Sequence, residues 1–191
     1  MRHVKLDDAC SVQAGGTPKR SEPLFWVDGS IPWVRISDIK GLHVGSTEEH
    51  ITDIGLQNSS AKLFEVDTIL YSIFASIGVS GILDTPAATN QAIAGIKIRK
   101  QYAAILNRDY LYYYLQSITP YFQSRARGAT QNNINLSMLR SLDVPIPSVD
   151  YQETIVAQLN RTESYLGSCK TLLVKFDELV KSRFTRTEVA A

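Results

Sequence analysis

Cysteine is scarce. The 191-residue sequence holds two, Cys10 and Cys169, too few and too far apart for a disulfide framework or for the paired spacing of a zinc site. Histidine is nearly as scarce. His3, His43 and His50 form no ligand cluster, and the Glu48-Glu49 pair between the last two reads as a polar loop, so no metal is expected. No run approaches the roughly 18 apolar residues of a membrane span, and no N-terminal apolar stretch reads as a secretion signal. The expected setting is a reducing cytoplasm without a membrane partner. An excess of one charge is lacking too. The net charge is +1, so bulk charge neither demands nor excludes nucleic acid.

Catalytic signatures are also missing. Gly78-Val79-Ser80-Gly81 is one residue short of a nucleophile elbow, which excludes that class of serine hydrolase. No phosphate-cradling glycine loop and no dinucleotide fingerprint occurs. Asp38-Ile39-Lys40 has the acid–x–lysine spacing of some nuclease sites but no partner acid, and is expected to be surface. There is no Asn/Asp-Pro-Pro-aromatic run of the amino-methyltransferase kind. The sequence therefore predicts no catalytic residues and no cofactor.

What is present is a long helix with a seam. From Asp150 to Phe184, Ile155, Leu159, Thr162, Leu166, Cys169, Leu173, Phe176 and Val180 recur at alternating steps of four and three. That is a heptad pattern, and one helix cannot bury it on itself. Asp150 with Glu153 forms a capping box, and the rod is roughly 50 Å long at about 1.5 Å per residue. Gly167 lies in its middle, a position where glycine costs about 1 kcal/mol against alanine. The bland reading of Cys169 is a small apolar residue filling the seam.

The rest of the chain, 1–149, reads as a mixed domain, with 185–191 a tail. The expected fold class is α+β: a mixed β/α globular domain followed by a coiled-coil-forming helix. Strands are expected at His3–Leu6, Ile31–Ile36, Thr68–Ile73, Val79–Leu83 and Ile93–Ile98. Gly15-Gly16-Thr17-Pro18 predicts a tight loop in which glycine permits positive φ. Asn107 should cap a helix running to Thr119, with Leu111, Leu115 and Ile118 on one face. Thr119-Pro120 should start a second helix and Gly128 should stop it. A helical turn is expected at Leu136–Leu142. Val144-Pro145-Ile146-Pro147 predicts an extended, stiff connector at the domain boundary.

Charge is polarised along the chain. Between Lys97 and Arg140 stand Lys97, Arg99, Lys100, Arg108, Arg125, Arg127 and Arg140 against Asp109 alone, whereas acids outnumber bases between Glu22 and Asp53. Such asymmetry fits one face meeting an anion, or an ordinary solvated surface.

Several stretches in order resemble one family. They are Gly15-Gly16-Thr17-Pro18, Ile31-Pro32-Trp33-Val34, Ser37-Asp38-Ile39, Ser76-Ile77-Gly78 and Asn90-Gln91-Ala92-Ile93. Arg127-Gly128-Ala129-Thr130-Gln131, Ile134-Asn135-Leu136 and Val144-Pro145-Ile146-Pro147 with Gln152-Glu153 follow. The order is similar to a target-recognition domain plus long helical region of the DNA-specificity subunit of type I restriction–modification systems. It covers nearly the whole chain, with one recognition domain and one helix where the family usually has two of each. The resemblance therefore implies a half-subunit, natural or a fragment.

The resemblance implies non-catalytic DNA recognition of one half of a bipartite site. It implies double-stranded DNA, modification (methyltransferase) subunits and a restriction subunit as partners. It also implies antiparallel helix pairing, here expected as a homodimer whose two-fold axis falls near Gly167 and Ser168. Candidate DNA contacts are Lys19, Arg20, Lys97, Arg99, Arg125, Arg127, Thr130, Gln131 and Asn132. Arginine suits phosphate and guanine, and side-chain amides suit adenine. Thr130–Asn133 reads equally as a hydrogen-bonded turn, and Trp26 and Trp33 as packing anchors. Two other readings stay open: a coiled-coil adaptor whose mixed domain binds protein, and a stand-alone dimeric DNA-binding regulator.

Overall fold

The structure is a computed structural model and describes residues 2–127 and 133–188. Its elements in chain order begin with β1 (Arg2–Lys5), α1 (Leu6–Ala9), β2 (Cys10–Ala14), β3 (Ile31–Val34), β4 (His43–Val44), β5 (Glu49–Ile51) and α2 (Asp53–Gln57). Next come β6 (Leu63–Phe64), β7 (Ile69–Ser72), β8 (Ser80–Leu83), β9 (Ala87–Thr89) and β10 (Ile93–Ile98). Then follow α3 (Arg108–Ser117), α4 (Thr119–Arg127), α5 (Leu136–Arg140), β11 (Asp143–Ile146) and α6 (Val149–Glu188). The fold is the expected α+β class. The chain divides into two compact units, 1–152 and 153–191.

The first unit is built on three sheets. A five-stranded sheet runs β2-β10-β7-β8-β4, a four-stranded sheet β5-β3-β9-β6, and β1 pairs with β11. Strands β7 and β8 are buried along their whole length, which is why they lack clean polar–apolar alternation. One core gathers Val34, Ile39, Val44, Phe64, Leu70, Leu83, Ala87 and Ile93. A second holds Trp33, Ile51, Ala61 and Ala88. Helix α3 adds Tyr110, Leu111, Tyr112, Tyr113 and Leu115 to the buried set. Its cap is as expected: the Asn107 side chain accepts from Asp109 N and Tyr110 N.

Several boundaries differ from the sequence expectation. Leu6 leaves its strand to open α1, and residues 36–38 form a 3-10 turn rather than the end of β3. Strands β2 and β9 are short and rich in small residues, so they carry no clear strand signal in the sequence. Thr119 does not cap α4; its hydroxyl donates to Leu115 O and meets the Tyr71 hydroxyl at 2.9 Å. The expected stop at Gly128 lies outside the described residues. The segment around the alternating prolines is extended, but it is a strand. Val144 and Ile146 are buried while Pro145 sits opposite His3 in a two-stranded edge, where a missing N–H is tolerated. The long helix starts at Val149, which leaves Asp150 in its first turn, where a carboxylate meets the helix dipole favourably. Asp38 is not surface: its side chain is 4 % exposed and accepts from Arg35 N at 2.8 Å.

Gln152 ties the start of α6 into the first unit. It is fully buried, its Oε1 accepts from Asn107 N at 2.8 Å, and its Nε2 donates to Ile105 O and Pro147 O at 2.8 and 2.9 Å.

The two thiols stand in opposite surroundings. Cys10 is buried, and that burial pushes its thiol up to about 12, only partly offset by the Arg99 charge. Cys169 is exposed. A thiol reagent is therefore expected to reach Cys10 only in denaturant. The unfolded Cys10 thiol ionises near its ordinary 9.0, before the folded one. Stability is thus whole below that pH and falls as pH rises toward about 12, which thermal melts across that range would check.

Candidate nucleic-acid interface

Stretches scattered in sequence meet within the first unit. Gly15 N donates to Ile93 O at 3.0 Å and Gly16 N to Thr89 O at 2.8 Å. The Thr17 hydroxyl bonds Gln91 Oε1. Asn90 N reaches Val34 O at 3.3 Å, and Asn90 Oδ1 accepts from Ala92 N at 3.1 Å in a local turn. Ile73 N takes Ala92 O at 2.8 Å, Ile134 N takes Ile73 O at 3.0 Å, and Phe74 bridges Asn133. Gln123 of α4 donates to Ile77 O at 2.9 Å. Five of the stretches quoted above therefore form one hydrogen-bonded cluster.

The glycines in this cluster answer to space rather than to φ. Neither Gly15 nor Gly16 has positive φ; a Cβ on Gly15 would strike Thr89, and one on Gly16 would strike Ser60. Gly78 does lie in the left-handed region, at φ 94°, and its Cβ position is filled by Thr119. Ala75, between exposed Phe74 and Ser76, also takes positive φ, at 58°, a strain that side chains avoid unless their surroundings impose it.

The basic candidates are spread over different supports. Lys19 is exposed, and its carbonyl accepts from Trp26 Nε1 at 3.2 Å and from Glu22 N at 3.1 Å. Arg20 is both stacked and ion-paired. Its guanidinium lies 3.8 Å from the Trp26 ring centre and 4.7 Å from that of Trp33, and Nη2 donates to Glu49 Oε2 at 2.6 Å. Lys97 bonds Val66 O and lies 3.9 Å from Glu65. Arg99 donates to Asp7 O at 3.2 Å, and Arg140 lies 3.5 Å from the same residue's carboxylate, so these two gather around Asp7. Arg125 donates to the Tyr121 hydroxyl at 2.5 Å and is exposed on α4. Thr130, Gln131, Asn132 and the Arg127 side chain lie outside the described residues.

Other charges hold the fold. Arg35 bonds Glu48 and lies 3.4 Å from Glu49; the Glu48 hydrogen bond, with the charges of Asp38 and Glu49, overcomes burial and raises its pKa. Burial disfavours the charge on Arg108, but Asp109 and Asp67 outweigh it and raise its pKa as well. His43 pairs with Asp84 at 2.8 Å, and Ser80 is buried in β8 beside Gln116. Among the described residues no group of three His, Cys, Asp or Glu could hold a metal ion, and no helix is long and apolar enough to cross a membrane. Trp26 and Trp33 are anchors, edge to face at 5.1 Å, and Trp33 Nε1 donates to Gly16 O at 3.1 Å.

The second unit carries the seam. Leu159, Thr162, Leu166, Cys169, Leu173, Phe176 and Val180 are all exposed and Ile155 is half-buried. A further row accompanies it: Tyr165, Leu172 and Leu179 are 66, 65 and 53 % exposed and repeat every seven residues beside Leu166, Leu173 and Val180. The apolar face is thus three positions wide per heptad, the width of a bundle helix rather than of a two-stranded seam. Gly167 meets nothing within 4 Å of its Cβ position, so nothing in the described chain requires a glycine there.

A family model described as Type I restriction modification DNA specificity domain matches residues 1–171. The chain is 26% identical over 156 residues to the Type I restriction enzyme EcoprrI specificity subunit of Escherichia coli, covering 81% of this chain and 38% of that protein. It is 26% identical over 190 residues to the MjaIX specificity subunit of Methanocaldococcus jannaschii, covering 97% of this chain and 40% of the relative. Among solved structures, the HsdS subunit from Thermoanaerobacter tengcongensis superposes with a TM-score of 0.64 at 21% identity, over 87% of this chain and 38% of that one. A chain from a study of assembly and conformational transition in the type I R-M system gives 0.73 at 22% identity, over 94% and 42%. The chain therefore spans about two fifths of the length of these relatives.

Proposed function

The chain belongs to the type I restriction–modification DNA specificity family, and from that membership we propose that it reads one half of a bipartite DNA site for a methyltransferase complex. The family is non-catalytic, so the chain selects a sequence and leaves the chemistry to other subunits. The observation that carries the reading is the family match through residue 171, which takes in both the motif cluster and much of the long helix.

In this reading residues 1–149 recognise DNA and 150–184, within the helix that runs to Glu188, pair with a second copy or a second half. The exposed heptad face supports the pairing. Its extra row supports contact with further helices of modification subunits, with a restriction subunit completing the assembly in the cytoplasm. Lys19, Lys97, Arg99, Arg125 and Arg127 meet phosphate, while Thr130, Gln131 and Asn132 lie close to the duplex. Arg20, stacked and paired, acts as scaffold more than as free charge.

A two-fold pair reads the same half-site twice, so the target is palindromic with an unread spacer. Mapping methylated sites on genomic DNA, with this chain as the sole specificity component, should return such a sequence. An asymmetric or unspaced target would remove the homodimer from the proposal. Lys19→Ala should flatten the salt dependence of DNA binding by about one unit of slope, and Arg20→Ala by less.

A further inference from the structure

The loop between β7 and β8 presents three consecutive exposed residues, Phe74, Ala75 and Ser76, on a buried frame. Both strands are buried throughout, as are Ile73 before the tip and Ile77 and Gly78 after it. Hydrogen bonds close the base of the loop. Ser72 N donates to Val79 O at 2.9 Å, Gly78 N donates to Ser72 O at 3.1 Å, and the Ser72 hydroxyl donates to Ser76 O. Two helices add to this: Gln123 Nε2 donates to Ile77 O at 2.9 Å and Gln116 Nε2 to Gly78 O at 3.4 Å. Ile134 N donates to Ile73 O at 3.0 Å. The tip itself turns through Ala75 at φ 58°, a conformation that its exposed methyl does nothing to favour. The frame imposes that turn, so the tip is carried on fixed backbone.

The chemistry of the tip narrows what it can meet. No charged residue occurs from Thr68 to Leu83. The tip therefore offers phosphate neither a cation to bind nor a carboxylate to repel it. It offers a phenyl ring, a methyl and a hydroxyl. Those groups suit base edges in a major groove, where Phe and Ala meet the C5-methyl of thymine. Phe74 pairs with Asn133 in an isolated antiparallel bridge. Asn133 directly follows Thr130–Asn132, the residues proposed above to lie close to the duplex, so the bridge ties the tip to the end of that segment. Phe74 is 38 % exposed. A ring that slides between base pairs must present most of its surface, whereas a methyl contact needs only an edge.

We propose that Phe74 reads a thymine of the half-site by apolar contact with its C5-methyl group. This deepens the DNA-recognition role proposed above and rests on it. The probe is a duplex carrying the site mapped for the parent chain, with each thymine of either strand replaced in turn by deoxyuridine, which lacks only that methyl. Binding is measured with the full chain assembled with the modification subunit of its system. One replacement should weaken binding by the parent about fourfold, the effect of returning one methyl-sized group to water. Phe74→Ala should bind the thymine duplex about as weakly as the parent binds the uracil one, and lose the difference between them. Phe74→Gln keeps a side chain of similar reach without its apolar end and should lose that difference too, which keeps the test decisive if the alanine variant fails to fold. The parent's preference retained at that thymine in a folded variant would overturn the proposal. So would a parent that responds to no thymine replacement, or a variant that weakens every duplex alike and leaves the thymine preference intact. A parent with no preference for its mapped site over unrelated DNA would instead sink the DNA-recognition role itself.

Discussion

Gln152→Leu is expected to destabilise the first unit by about 3–5 kcal/mol, which for a unit of this size lowers the melting temperature by on the order of 10 °C. The amide is fully buried and makes three hydrogen bonds to backbone. Leucine fits the volume but leaves Asn107 N–H and the carbonyls of Ile105 and Pro147 without their partner. Each loss costs about 1–1.5 kcal/mol, and a donor stranded away from water costs more. Asn107 also caps α3, so disturbance there reaches the helix that covers β8. Differential scanning calorimetry of the variant checks this directly. A shift under about 2 °C would mean that water enters and satisfies the three groups, and that Gln152 is replaceable.

The second large effect concerns the helix. Leu166→Asp with Leu173→Asp should hold the chain monomeric at concentrations where the parent is dimeric. Fully burying a leucine contributes about 1.5–3 kcal/mol, and a two-fold pair removes each of them twice. The sum lies near 6–12 kcal/mol as an upper range, so a dissociation constant raised by about ten-thousandfold or more is expected. Light scattering reads the mass. Because the two side chains are 56 and 65 % exposed in the single chain, its melting temperature should hardly move. A parent that is monomeric at high concentration, or a variant as dimeric as the parent, would each refute the seam. Site-specific methylation by the assembly should vanish along with the dimer.

How much of this was legible in the sequence depended on what kind of signal each residue gives. A long C-terminal helix and the Asn107 cap are local patterns, and the structure has both. The Val-Pro-Ile-Pro run was read as extended, but its partner, β1, lies at the other end of the unit and leaves no local trace. Gly15 and Gly16 were given a torsional role, whereas they make room for Thr89 and Ser60, which only the fold brings near. Arg20 looked like a free cation because the sequence hides its stacking on Trp26 and its pairing with Glu49. The wider apolar row of α6 is legible in the sequence's seven-residue period, although Tyr165 and Leu172 fall outside a strict two-position seam.

The pairing of β1 with β11 has a consequence for how such chains can change. Arg2 stands opposite Ile146, so the strand that enters the unit and the strand that leaves it for α6 are neighbours. A unit whose entry and exit touch can be lifted out and replaced by another at two adjacent cut points, leaving the helix untouched. It can also be reopened elsewhere on its surface and rejoined across a short linker between β11 and β1. The pairing makes the unit an exchangeable cassette.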